Sequence, residues 1–160
     1  MEWQNFEESR HEYPEMVVES IVKGFDKATK NLARLIVVPI SGIEQITSGL
    51  STDFQFEVRL LSQTLSQYKL MLFKLGYDVN MYPVSVIFNT DIAEELYPSK
   101  RIGERTVFQL KNEEELILII EKLVGTTFFK DTVSGLMKIS LKYMKRMSST
   151  EEETEEEEES

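Results

Sequence analysis

The stretch STDFQFEVRLLSQTLSQYKLMLFKLG, residues 51–76, decides how this chain is read. Phe54, Val58, Leu61, Leu65, Tyr68, Leu72 and Leu75 recur at alternating intervals of four and three, the spacing that stacks side chains on one face of an α-helix. Ser51 or Thr52 suits the N-cap of such a helix, and Gly76 suits its C-terminal stop. The first part carries a second pattern. Phe54, Phe56, Val58 and Leu60 alternate with Gln55, Glu57 and Arg59, as in a half-buried strand leading into a helix from Ser62. The helical period holds for longer, so the expectation is one helix, with the segment after Ser62 helical under either reading.

Upstream, Pro14 fits the first turn of a helix, with Glu15 at its positive end. Val17, Ile21, Phe25, Ala28, Leu32 and Leu35 continue the helical spacing. The β-branched run at 35–40 predicts a short buried strand ended by Pro39 and Gly42, and a short helix is expected over 43–47. Downstream, the run at 82–88 is the clearest strand, entered through Pro83. Asn89, Thr90 and Asp91 can cap a helix reaching Leu96. Residues 105–110 predict another strand. Asn112 then caps a helix whose first turn is Glu113, Glu114 and Glu115, with Leu116, Ile119, Ile120 and Leu123 facing inward and Gly125 ending it. A last helix over 131–147 places Val133, Leu136, Met137, Ser140, Leu141 and Met144 on one side, with Met147 as a soft apolar continuation.

This order predicts a single α/β or α+β domain: a small mixed sheet of about three strands, some paired in parallel through crossovers, packed by four to five helices. A polar lead-in occupies 1–12, the globular part 13–147 and an acidic tail 148–160. The tail holds Glu151, Glu152, Glu153, Glu155, Glu156, Glu157, Glu158 and Glu159. The whole chain has 28 acidic and 18 basic residues, and setting the eight tail glutamates aside leaves 20 against 18. A block of that kind repels itself and buries no apolar surface, so the tail reads as a disordered extension of a nearly neutral body.

That balance argues against general binding of nucleic acid, which depends on neutralising phosphates. The exception is a basic stretch on the last helix, Lys138, Lys142, Lys145 and Arg146, ending five residues before the tail. There is no cysteine, which removes thiolate chemistry. The first fifteen residues lack the pattern of a secretory signal, and no apolar run approaches a bilayer span, so no membrane partner and a cytoplasmic location are expected.

The catalytic inventory is thin. His11 is the only histidine and sits in the polar lead-in, where it reads as a solvated imidazole. Zinc sites need several His or Cys ligands, and no phosphate-cradling glycine pattern is present, so no cofactor is called for. Asn89 to Asp91 lie where α/β folds bind ligands, but capping explains them.

One acidic constellation has a chemical reading. If residues 53–60 are extended, Asp53, Glu57 and Arg59 share one face, followed by a helix and the strand at 82–88. This arrangement resembles the core of the PD-(D/E)xK nuclease superfamily, with Arg59 in the lysine position and Glu44 or Asp53 standing in for the upstream acid. The resemblance implies a divalent metal held by Asp53 and Glu57 and an activated water at the basic residue.

Two function classes therefore stand. The favoured one is a non-enzymatic regulatory or adaptor protein acting through protein–protein contacts, with Lys138, Lys142, Lys145, Arg146 and the glutamates of the tail as contact or solubility elements. The alternative is the metal-dependent nuclease or a degenerate relative. The heptad-like run from Phe54 to Leu75 is also compatible with a homodimer.

Overall fold

The computed structural model describes residues 1–103 and 105–159, with side chains from 149 onward outside the description. Where the sequence predicts a disordered tail over 148–160, the described backbone continues α6 to Glu159, and the side chains from 149 lie outside the description. The elements are α1 Pro14–Val22, α2 Phe25–Ala28, β1 Ala33–Pro39, α3 Ile43–Thr47, β2 Phe54–Ser62, β3 Lys69–Tyr77, β4 Val84–Phe88, α4 Thr90–Leu96, β5 Phe108–Leu110, α5 Glu113–Val124 and α6 Thr127–Glu159.

Residues 51–76 are not a helix. They form the β2–β3 hairpin, antiparallel from Phe54 opposite Tyr77 to Leu61 opposite Lys69, with a bulge between Val58 and Arg59. The helical stripe left Phe56, Leu60, Leu70, Met71 and Phe73 unaccommodated, and the hairpin buries Leu60 and Phe73 together with Leu75. Fully burying such a side chain contributes about 1.5–3 kcal/mol, so a helix leaving several of them off its inner face loses to a hairpin that buries Leu60 and Phe73 beneath the helices. The turn sits in the polar segment 63–68. Ser62 Oγ accepts from the N–H groups of Thr64 and Leu65, at 3.1 and 2.8 Å, which reverses the chain after β2. Gly76 lies inside β3 instead of ending a helix.

The first helix is also shorter than its periodicity predicts. Gly24 adopts a left-handed φ of 91°, and Lys30 and Asn31 follow with φ of 54° and 61°. Those turns stop the helical run and let β1 begin at Ala33. The expected mixed sheet of about three strands is corrected to five strands in the order β1-β2-β3-β4-β5, every neighbouring pair antiparallel. No parallel crossover forms among them, because α4 spans β4 and β5 without reversing the meander.

The helices α1, α5 and α6 cover one face of this sheet. Val58, Leu60, Leu75, Val84, Val86 and Phe88 meet Val17, Val18, Leu116, Ile120, Leu123 and Leu136 there. Tyr77 Oη donates to Glu15 Oε2 at 2.6 Å, tying β3 to α1. Burial, then that carboxylate, holds the phenol above its ordinary pKa. The caps follow the sequence closely: Asn89 Oδ1 accepts from Asp91 N–H and Asn112 Oδ1 from Glu115 N–H. An unexpected cap comes from α4, where both oxygens of Glu95 accept from Thr127 and Phe128 N–H at 2.7 Å. It starts α6 four residues earlier than its apolar pattern suggests.

Candidate functional site

The second face of the sheet is only partly covered, and it is here that the charged residues of β2 converge. Pro39 ends β1, and α3 folds back over the sheet. Buried Gln55 holds that return: its amide donates to Leu50 O and Thr52 O at 3.2 and 3.0 Å, and its Oε1 accepts from Ser48 Oγ at 2.6 Å. Gly49 passes so close to Ile87 that a Cβ there would stand 3.0 Å from Ile87 Cδ1. The loop thereby seals Ile87 and Leu50 and leaves an open concavity beside α3.

That concavity, of about 190 Å³, is lined by Ile40, Glu44, Thr47, Ser48, Glu57, Arg59 and Lys74. Register explains the grouping. Glu57 stands opposite Lys74 across the β2–β3 ladder and opposite Val38 across β1–β2, while Arg59 stands opposite Ile36. Arg59 Nη2 meets Glu57 Oε2 at 2.7 Å, and Lys74 Nζ donates to Ser48 O at 3.2 Å. The charges therefore alternate, with Arg59 paired to Glu57 and Lys74 held by a backbone carbonyl.

Of the residues singled out in the sequence, Glu57, Arg59 and Glu44 are brought together. Asp53 is not. It precedes β2, where its N–H donates to Asp78 Oδ1 and its carbonyl accepts from Gln45 Nε2. Among the described residues, no group of three or more His, Cys, Asp or Glu is arranged to hold a metal ion. The nuclease resemblance implied a helix after the strand bearing Glu57, and β3 occupies that place. Lys74 and Ser48 went unnoticed in the sequence because the helical reading of 51–75 separated Lys74 from Glu57. As a ligand site the concavity is small, since pockets for small molecules run to roughly 300–1,000 Å³. Its carboxylate and ammonium are already partnered, which leaves it suited to ordering the sheet surface.

His11 stays on the exposed lead-in, its ring 5.5 Å from that of Tyr82 in an edge-on contact.

The other concentration of exposed chemistry is on α6. Leu136 and Ser140 are buried against the body, Ser140 Oγ lying 3.4 Å from Ser62 Oγ. Beyond them Tyr143, Met144 and Met147 continue the same side of the helix, and all are exposed, as are Ile139 and Leu141. The expectation that Leu141 and Met144 pack inward is thus corrected: Leu141 points about 100° away from its buried neighbour Ser140, and Met144, one turn further along the helix, lies past the covering body. Tyr143 borders a notch of about 230 Å³ with the β2–β3 turn, beside Leu65 and Tyr68. Lys138, Lys142 and Lys145 project from the opposite side of α6, as their spacing requires, and Arg146, three residues after Tyr143, flanks the apolar side.

Comparison with protein-family models, with curated proteins and with solved structures finds no match to this chain. Among the described residues, no helix is long and apolar enough to cross a membrane.

Proposed function

We propose that this chain is a non-enzymatic regulatory or adaptor protein of the cytoplasm, working through protein–protein contacts made by the outer part of α6. The observation that supports it most is the apolar side of α6 running past the body, with Tyr143 45% and Met147 55% exposed. An apolar stripe on a projecting helix, backed by a basic face, matches the way amphipathic helices seat in a partner's groove, with methionine supplying an adaptable surface. The glutamates of the tail act in this reading as a further contact or as a solubility element.

The test pairs the full chain with a Tyr143→Asp/Met147→Asp variant. Both positions are exposed, so the melting temperature should hold while partners recovered with the full chain are lost. Equal recovery by both would sink the proposal. The nuclease alternative keeps one supporting feature, the extended β2 with Glu57 and Arg59 on one face near Glu44. It requires magnesium or manganese binding that Glu57→Ala weakens. Titration calorimetry showing no metal binding by the unaltered chain would end it.

A further inference from the structure

Strand β1 stands at one end of the sheet and pairs on one side only, with β2. In an antiparallel ladder, successive residues turn their backbone groups alternately towards the neighbour and away from it. The bonds at the ends of the β1–β2 ladder set the phase: Ile40 N–H donates to Gln55 O at 2.9 Å and Gln63 N–H to Leu32 O at 3.0 Å. Arg34, Ile36 and Val38 therefore face β2, while Ala33, Leu35, Val37 and Pro39 present their backbone outward.

Both ends of this outward row are closed. Thr29 Oγ1 accepts from Ala33 N–H at 3.2 Å and lies 3.0 Å from Ala33 O, to which it donates, sharing its proton with Asp26 O. Pro39 has no N–H to offer. What remains is the N–H and C=O of Leu35 and of Val37. They run beside an open groove of about 460 Å³ walled by Glu19, Val22, Lys23, Asp26 and Arg34. A β-branched edge with free backbone groups is a template for another strand.

We propose that this edge pairs with the same edge of a second copy, β1 antiparallel to β1 about a two-fold axis through Ile36. In that register Leu35 and the partner's Val37 exchange both backbone hydrogen bonds, and the axis repeats the exchange. Ala33 comes opposite the partner's Pro39. The one strand position lacking a donor thus meets the one carbonyl that Thr29 already serves. Sliding the register by two residues one way puts Pro39 against Leu35 and leaves that carbonyl without a donor. Sliding it the other way drives the Val37 N–H at the carbonyl already held by Thr29.

Charge agrees with the same register. Arg34 falls opposite the partner's Val38, whose ladder neighbour is Glu57. Two strand spacings of about 4.8 Å separate them, a gap that an arginine and a glutamate side chain span together. Ile36 meets its own copy on the axis, an apolar pair on the half-covered face. This inference is independent of the contact role given to α6.

The chain contains no cysteine, so single thiols report the geometry directly. On the axis, Ile36 and its mate form a non-hydrogen-bonded pair with Cα atoms about 4.5 Å apart, within disulfide range. Val38 and its mate are separated by four residues along the strands, about 13 Å. Under mild oxidation Ile36→Cys should become a covalent dimer and Val38→Cys should not. Sedimentation should show the unaltered chain dimerising. Val37→Pro, which removes an outward N–H and keeps the bonds to β2, should weaken that by at least about tenfold. A readout free of substitutions is amide exchange, where Leu35 and Val37 should gain protection as concentration rises. Equal cross-linking of both cysteine variants, a chain monomeric at every concentration, or exchange at Leu35 and Val37 independent of concentration would overturn the proposal.

Discussion

Replacing Gln55 tests how the second face of the sheet is held. Gln55 is 4% exposed, and its single amide ties Ser48, Leu50 and Thr52 to β2. In Gln55→Leu the carbonyl of Leu50, inside the structure, loses its donor, at about 1–3 kcal/mol. The bonds to Thr52 O and from Ser48 Oγ add about 0.5–1.5 kcal/mol each. Ser48 keeps part of its satisfaction, because its hydroxyl also reaches Gln45 O and accepts from Leu50 N–H. Added leucine burial offsets some of the loss. The net cost is about 2–4 kcal/mol, which for a domain of this size lowers the melting temperature by roughly 5–15 °C. Gln55→Glu sharpens the test. A carboxylate would face two carbonyls in a buried site, so its folded pKa would rise above the ordinary value of about 4.3. The extra penalty is then absent below that value and grows as pH rises towards the folded pKa. Thermal melts of both variants from pH 4 to pH 8 supply the check. A Gln55→Leu protein melting with the unaltered chain, or a Gln55→Glu deficit independent of pH, would refute the assigned role of this amide.

Two further substitutions probe other joints of the fold. Glu95→Ala removes the cap on α6, whose carboxylate is held below its ordinary pKa chiefly by the Phe128 N–H, with Thr127 N–H and Lys130 assisting. A depressed pKa means the stabilisation is complete above the unfolded value and lost as pH falls through the folded one. The melting-temperature gap to the unaltered chain should accordingly be full at pH 7 and close in acid. Gly76→Ala would press a Cβ into Thr52 Oγ1 and within 3.2 Å of Phe54 O. It should destabilise, and adding Thr52→Gly should recover only part of the loss, because the Phe54 carbonyl cannot move aside.

Much of the architecture is legible in the residues themselves. Asn89 and Asn112 announce their helices, and the inward set Leu116, Ile119, Ile120 and Leu123 of α5 is buried as its spacing demands. The strand at 82–88 corresponds to β4 Val84–Phe88. The hairpin is obscured because alternating apolar residues on two strands joined by a six-residue turn reproduce intervals of four and three by coincidence. The overlooked signal is the polar run at 62–67, where two serines and a threonine can bond their own backbone. The concavity around Glu57 and Arg59 was half visible, since both lie on one strand, whereas Lys74 joins them only through pairing. The free edge of β1 follows from sheet order, which local periodicity does not encode.

Everything placed on the second face and on the β1 edge depends on residues 54–77 being a hairpin between β1 and β4. Nuclear magnetic resonance reads this directly. The structure predicts extended-chain chemical shifts over 54–62 and 69–77, and close Hα–Hα contacts between Leu35 and Leu60 and between Val37 and Val58, the non-hydrogen-bonded pairs of the β1–β2 ladder. Helical shifts running unbroken from Thr52 to Leu75, with contacts three residues apart in place of the cross-strand ones, would contradict it.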